Sequence, residues 1–263
     1  MTFDESKTVV IRTTEVGSCP RKRQWNLSSP RDALGGFVQP VQDHLYPIRG
    51  WLSHYHIQQF VNAKQDYFPD PPVPETLRAE HNIPHSLDKI LEEQVRHDWG
   101  NFEKWLKKTD VSLAPENVVG AEYQIIMPVS PPRGVTLSYA LRMDVDLLLK
   151  GDIIDFKSGK KSYLRSYTWQ LGAYRRGARY LQLHRDSPTG DFRLRDVFLG
   201  DDEPEERILD RKKLDASMMH FDKALSDTIL NDFLCRTDSR YEAPCEVDIY
   251  CAFCRWRGFC RGF

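Results

Sequence analysis

The chain has 263 residues, enough for one large domain or a core with an added subdomain, and a chain of that size buries roughly 70–75% of its unfolded surface without needing disulfides. Its 37 Lys and Arg nearly balance 38 Asp and Glu, for a net charge of −1, so binding to nucleic acid would have to come from local patches. No apolar run approaches the ~20 residues of a membrane span, and MTFDESKTVV lacks the basic-then-apolar order of a secretion signal; the expectation is a cytoplasmic protein, or a nuclear or organellar one in a eukaryote, not a secreted one.

Thr8–Arg12 is a β-branched run that reads as a strand, followed by a helix start that Thr13 or Thr14 can cap. Cys19-Pro20 and the basic string Arg21, Lys22, Arg23 precede Trp25. Basic residues beside an aromatic can hold a phosphate backbone and stack on a base; a solvated basic turn anchored by a buried tryptophan fits equally well. Residues 28–86 read as an insertion, with a helix over Gly50–Lys64 and an extended polyproline segment at Pro69–Pro74. His44, His54, His56, His81 and His85 lie there without metal-ligand spacing, which assigns them structural or surface roles. Next comes a helix over Ser86–Lys108, capped by Ser86, with Leu87, Ile90, Leu91, Val95, Trp99, Phe102 and Leu106 as its apolar stripe. His97 lies beside Glu93 and Gln94 on the neighbouring face.

Val118–Met127 reads as a strand and Pro128–Gly134 as a loop. Within Val135–Leu149, apolar Leu141, Met143, Val145 and Leu147 alternate with Arg142, Asp144 and Asp146, the period of a half-buried strand. Lys150-Gly151 then turns the chain into Asp152–Lys157, so the pair forms a hairpin in which Leu148 faces Ile153, Leu147 faces Ile154 and Asp146 faces Asp155. Lys157 emerges on the face of Asp155. Opposed carboxylates destabilise a hairpin unless something neutralises them, and hard oxygen ligands suit Mg²⁺ or Mn²⁺. The competing reading is a solvated polar face with an incidental Asp-Lys pair.

A helix over Ser166–Leu183 puts Gln170 and Tyr174 on one face, four residues apart. Asp191–Gly200 and Glu206–Asp210 give one or two further strands, and Leu214–Leu234 a last helix. This order is α/β, a mixed sheet flanked by helices. Cys235, Cys245, Cys251, Cys254 and Cys260 crowd the C-terminal tail; in a reducing compartment such a cluster points to metal rather than disulfides.

Four patterns taken together resemble a known family: Met143-Asp144-Val145-Asp146; Asp155-Phe156-Lys157 followed by Ser158-Gly159; Gln170-Leu171-Gly172-Ala173-Tyr174; and Cys19-Pro20-Arg21-Lys22 with Cys251-Ala252-Phe253-Cys254 and Cys260. The chain is similar to the PD-(D/E)XK nucleases, specifically the RecB-like exonucleases carrying an iron–sulfur cluster. These include the CRISPR-associated adaptation exonucleases and other four-cysteine single-strand DNA exonucleases. The resemblance covers roughly residues 11–25, 87–183 and 244–260, not 28–86. Met143 stands where the family has glycine, which leaves its metal aspartate between Asp146 and Asp144; facing Asp155 favours Asp146. His97 falls where the family places a helix histidine, with Glu93 where glycine is usual.

The resemblance implies a restriction-endonuclease-like core at 87–234, an N-terminal segment 1–27 with the first cluster cysteine, a mostly helical insertion 28–86 and a cluster-binding tail 235–263. It implies metal-dependent hydrolysis of DNA, single-stranded or with free ends, in repair, recombination or CRISPR adaptation, with protein partners from such a complex. Asp146, Asp155, His97 and the Phe156 carbonyl would hold Mg²⁺ or Mn²⁺. Lys157 would orient water or stabilise the phosphorane, positioned by Gln170 and Tyr174. Cys19, Cys251, Cys254 and Cys260 would bind a [4Fe–4S] cluster, with Cys245 as substitute ligand, Cys235 a buried thiol, and a four-cysteine zinc site as the rival. The alternative function is a non-cleaving nucleic-acid-binding or assembly module.

Overall fold

The computed structural model describes residues 7–20, 24, 27, 41–63, 73–81, 83–161 and 165–243. Arg21, Lys22, Arg23, Trp25, most of Pro69–Pro74, Cys245, Cys251, Cys254 and Cys260 lie outside the described residues. The strands are β1 (Thr8–Arg12), β2 (Val118–Val129), β3 (Ser138–Leu149), β4 (Asp152–Lys157), β5 (Arg193–Phe198) and β6 (Glu205–Ile208). The helices used below are α1 (Val41–Asn62), α2 (Glu75–His81), α3 (Asp88–Lys108), α4 (Arg165–Tyr180) and α5 (Arg211–Thr237). None of the described helices is long and apolar enough to cross a membrane.

The hairpin forms as its alternation requires. β3 and β4 pair antiparallel with Leu147 opposite Ile154 and Leu148 opposite Ile153, and Gly151 turns the chain at φ +102°, where a side chain would be strained. The strands make one six-stranded sheet in the order β1-β3-β4-β5-β6, with β2 also on β3. β1 and β5 pair parallel to their neighbours β3 and β4, whereas β6 runs antiparallel to β5. The sheet is therefore mixed, and helices flank it.

The chain divides into two compact units: residues 1–43, 126–142 and 212–263, and residues 44–125 and 143–211. In the first, β1 lies along Ser138–Arg142, and Tyr139 Oη donates to Asp232 Oδ2 of α5 at 2.8 Å. Gln24 holds the segment ahead of the tail: its Oε1 accepts from Ala243 N at 3.0 Å, and its amide donates to the Tyr241 carbonyl.

In the second unit one sheet face presents Leu147, Leu149, Ile154, Phe156, Val197 and Leu199 to Trp99, Phe102 and Trp105 of α3 and to Ile57 of α1. Phe102 and Trp105 each meet the Phe156 ring edge-on at 5.5 Å. Burial of each such side chain contributes about 1.5–3 kcal/mol. α1 thus packs on the core and helps to cover it. Gly50 lies inside α1 rather than opening it.

Several local expectations change. Thr13–Glu15 is a 3₁₀ turn, not an α-helix start; the Glu15 carboxylate takes the Arg12 N–H at 2.9 Å instead. Ser86 does not cap α3, since a 3₁₀ turn at His85–Leu87 leads into it. The stripe of α3 is also rotated: Ile90 is exposed, while Asp98, Asn101 and Trp105 are buried. Asp98 is buried because it is bonded: Arg49 Nε donates to it at 2.9 Å and Ser53 Oγ at 2.7 Å, both from α1. Cys19 and Cys235 are both half-buried, so Cys235 is not the buried thiol expected but is partly exposed.

Candidate metal centre

The face of the hairpin opposite Phe156 is where the charge collects. Continuing the β3–β4 register places Asp146 opposite Asp155, and both are buried, at 7% and 0% exposure. Asp146 Oδ2 accepts the Phe156 N–H at 2.6 Å. The carbonyl of that same residue lies 3.0 Å from Nε2 of His54. A side chain from β3 and another from α1 therefore fix the backbone between Asp155 and Lys157.

With Nε2 committed to that carbonyl, His54 Nδ1 faces two carboxylates. It lies 3.4 Å from Glu122 Oε1 and 3.5 Å from Asp146 Oδ1. Glu122 sits inside β2 with φ +49°, a left-handed conformation that costs a non-glycine residue about 1–3 kcal/mol and persists only where its surroundings impose it. Ligand atoms of His54, Glu122 and Asp146 all lie within 4.8 Å of one another. That separation lets one cation with bonds of about 2.0–2.6 Å touch all three.

Lys157 and its supports complete the face. Its Nζ pairs with Asp155 Oδ2, donates to Gln170 Oε1 at 2.9 Å, and stands 4.5 Å from the centre of the Tyr167 ring. Gln170 in turn donates to Tyr174 Oη at 2.5 Å. Gln170 thus meets the lysine and Tyr174 meets Gln170, on the one helical face their spacing suggested.

Burial and charge set the protonation of this cluster. Burial pushes the Asp146 carboxyl up, and although His54 opposes this, Asp155 and Glu122 add to it, bringing it to about 8. Burial alone would lower the His54 imidazole, but Asp146 and Glu122 outweigh it and hold it at about 9. Lys157 is raised too: burial works against its charge, and Asp155 and Asp146 more than offset that. Tyr174 is raised well above the ordinary phenol by burial, then by Asp155 and Asp146, and stays neutral.

The donor set fits a hard divalent ion. Two carboxylates and an imidazole converge, and Asp155, fully buried beside them, has among the described residues no hydrogen-bond partner for Oδ1 and only the Lys157 ion pair for Oδ2. Buried polar atoms without partners are rare and call for an explanation such as an ion.

The structure brings together Asp146, Asp155, Lys157, Gln170 and Tyr174. It does not bring His97 to them: that side chain is 41% exposed on α3, with Nδ1 3.6 Å from Asp98. His54, read from sequence as structural or surface, stands at the cluster instead. Asp144 accepts from Gln124 Nε2 at 3.3 Å and lies outside the triad. His54 and Glu122 were missed because their partners are distant in sequence, 92 residues separating His54 from Asp146. One local signal did point to His54: Gly50 stands four residues before it, the spacing at which His97 has Glu93 instead of the usual glycine; for Glu122 the one clue, an acidic residue on the strand before the hairpin, is too common to select it.

No known family and no curated protein matches the chain. Among solved structures, a crystal structure from Eubacterium rectale, named provisionally as an exonuclease, aligns at 10% identity with a TM-score of 0.50. The alignment spans all of both chains. The crystal structure of SSO0001 aligns at 15% identity over 99% of this chain and 89% of that one, with a TM-score of 0.39. At 10% identity the first likeness establishes a shared fold, not a shared chemistry.

Proposed function

We propose that this protein is a metal-dependent deoxyribonuclease of the PD-(D/E)XK type, RecB-like, acting as an exonuclease on single-stranded DNA or free DNA ends. The observation that carries the reading is one cluster: His54, Glu122 and Asp146 gathered beside buried, under-bonded Asp155, with Lys157 against it. The exonuclease name borne by the Eubacterium rectale structure of like fold supports the direction. Asp146, Glu122 and His54 Nδ1 would hold Mg²⁺ or Mn²⁺, with Asp155 as the adjoining ligand. Such an ion supplies a water of lowered pKa and offsets charge on the phosphate.

The chain's own groups do the rest. Asp146 and His54 pin the Phe156 peptide, which fixes the spacing of Asp155 and Lys157. Lys157, kept charged by its acidic neighbours, faces negative charge as it develops on the phosphoryl oxygens. Gln170 holds the ammonium in place, and neutral Tyr174 backs Gln170. In this reading Cys19, Cys251, Cys254 and Cys260 carry a structural [4Fe–4S] cluster, and the service is DNA repair, recombination or CRISPR adaptation.

The test is degradation of end-labelled single-stranded DNA with Mn²⁺ by the native chain and by Asp155→Ala. Native activity with a loss of about 10²-fold or more in the variant is the expected result. A native chain as inert as the variant overturns the nuclease reading and favours a non-cleaving module.

A further inference from the structure

Asp196 on β5 is registered opposite Asp155 in the parallel β4–β5 pair, and Arg207 on β6 is registered opposite Asp196. With Asp146 facing Asp155, four adjacent strands carry one row, Asp146, Asp155, Asp196 and Arg207, on the face that also presents Lys157. Neighbouring strands lie about 4.7–4.9 Å apart, which puts the diagonal Asp196 within the length of a lysine side chain from Lys157. Asp196 is completely buried. Its Oδ2 accepts from Arg207 Nε at 2.7 Å and pairs with Nη2, yet its Oδ1 has no hydrogen-bond partner among the described residues.

Lys157 meanwhile covers Asp155 Oδ2, an oxygen that a cation at this carboxylate would share. An ammonium and a divalent ion on one carboxylate repel each other, and a buried ammonium that loses its anion needs another. The unfilled acceptor next in the row is Asp196 Oδ1.

We propose that Asp196, clamped by Arg207, is a positioning residue that receives the Lys157 ammonium when a divalent cation engages Asp155. The proposal rests on the metal-centre reading above. No covalent bond changes: Lys157 keeps its proton and its Gln170 contact and exchanges one carboxylate for another. Without Asp196 the lysine stays on Asp155 and competes with the cation. In Asp196→Asn the amide oxygen turns to the Arg207 donors and the NH₂ turns toward Lys157, so the acceptor is lost while side-chain volume is kept.

The experiment is calorimetric titration of Mn²⁺ into the full-length native chain, Asp196→Asn, Lys157→Met and the double variant, with Asp155→Ala as control. Asp196→Asn is expected to weaken Mn²⁺ binding about tenfold in the native background and less than about twofold when residue 157 is Met. Equal weakening in both backgrounds overturns the proposal, because Asp196 then acts on the ion or the fold without Lys157. Unchanged affinity overturns it as well. Should Asp196→Asn not fold, Asp196→Asn combined with Arg207→Gln removes both charges, keeps a hydrogen bond, and is expected to show the same dependence on Lys157. A native chain that binds no Mn²⁺ brings down the metal-centre reading and this proposal together; native binding without the coupling brings down this proposal alone.

Discussion

At the scale of single residues, His54 and His97 make opposite predictions. His54 Nδ1 faces Glu122 and Asp146, whereas His97 is exposed beside Asp98. His54→Ala should weaken Mn²⁺ binding by about 10–100-fold, and His97→Ala should leave it unchanged, as read by calorimetry. The reverse result would restore the sequence-based ligand. Protonation gives a second prediction. The folded His54 is held at about 9 against its ordinary 6.5, so its contribution to stability is complete below pH 6.5 and lost as pH rises through 9. Asp146, raised from 3.8 to about 8, acts in the same direction: its contribution is complete below 3.8 and lost through about 8. In EDTA the melting temperature should therefore fall between pH 6.5 and 9, and Mn²⁺, which displaces these protons, should bind more tightly over the same interval. A flat melting profile would contradict this account.

At the scale of elements, the hairpin was legible and its surroundings were not. Alternation in Leu141–Leu147 and the glycine turn fixed the β3–β4 register, because a slip by one residue would turn every apolar side chain outward. The spacing of Gln170 and Tyr174 likewise set them on one helical face. A helix around His54 was legible too; what sequence could not show was where α1 packs, which brings His54 to the cluster. Its position depends on Asp98 of α3, bonded by Arg49 and Ser53, a tertiary contact that helical periodicity does not register. Asp98→Ala should cost about 3–5 kcal/mol in denaturant unfolding, since it strands a largely buried guanidinium, and should weaken metal binding through His54. The exit of β4 is similarly constrained. A Cβ on Gly200 would stand 2.3 Å from the Ser158 carbonyl oxygen, so Gly200→Ala must shift backbone next to Lys157 and should cost about 1–3 kcal/mol. A variant as stable as the native chain would show that this contact gives way freely.

For the whole molecule, the α/β class followed from the order of apolar periods, and the full-length likeness to the Eubacterium rectale structure agrees with it at the level of fold. The cysteine tail is a different matter, because its ligands lie outside the described residues. Gln24 and the backbone at 241–243 are nevertheless bonded, so the segment after Cys19 meets the chain just before that tail. Anaerobically purified protein should be brown, with a broad absorbance near about 400 nm; colourless protein with one equivalent of zinc would replace the cluster by a four-cysteine zinc site. The central claim is tested most directly by an anomalous difference map from crystals grown with Mn²⁺. A peak bounded by His54, Glu122, Asp146 and Asp155 is predicted. A peak beside His97, or an ordered site without one, would contradict the account.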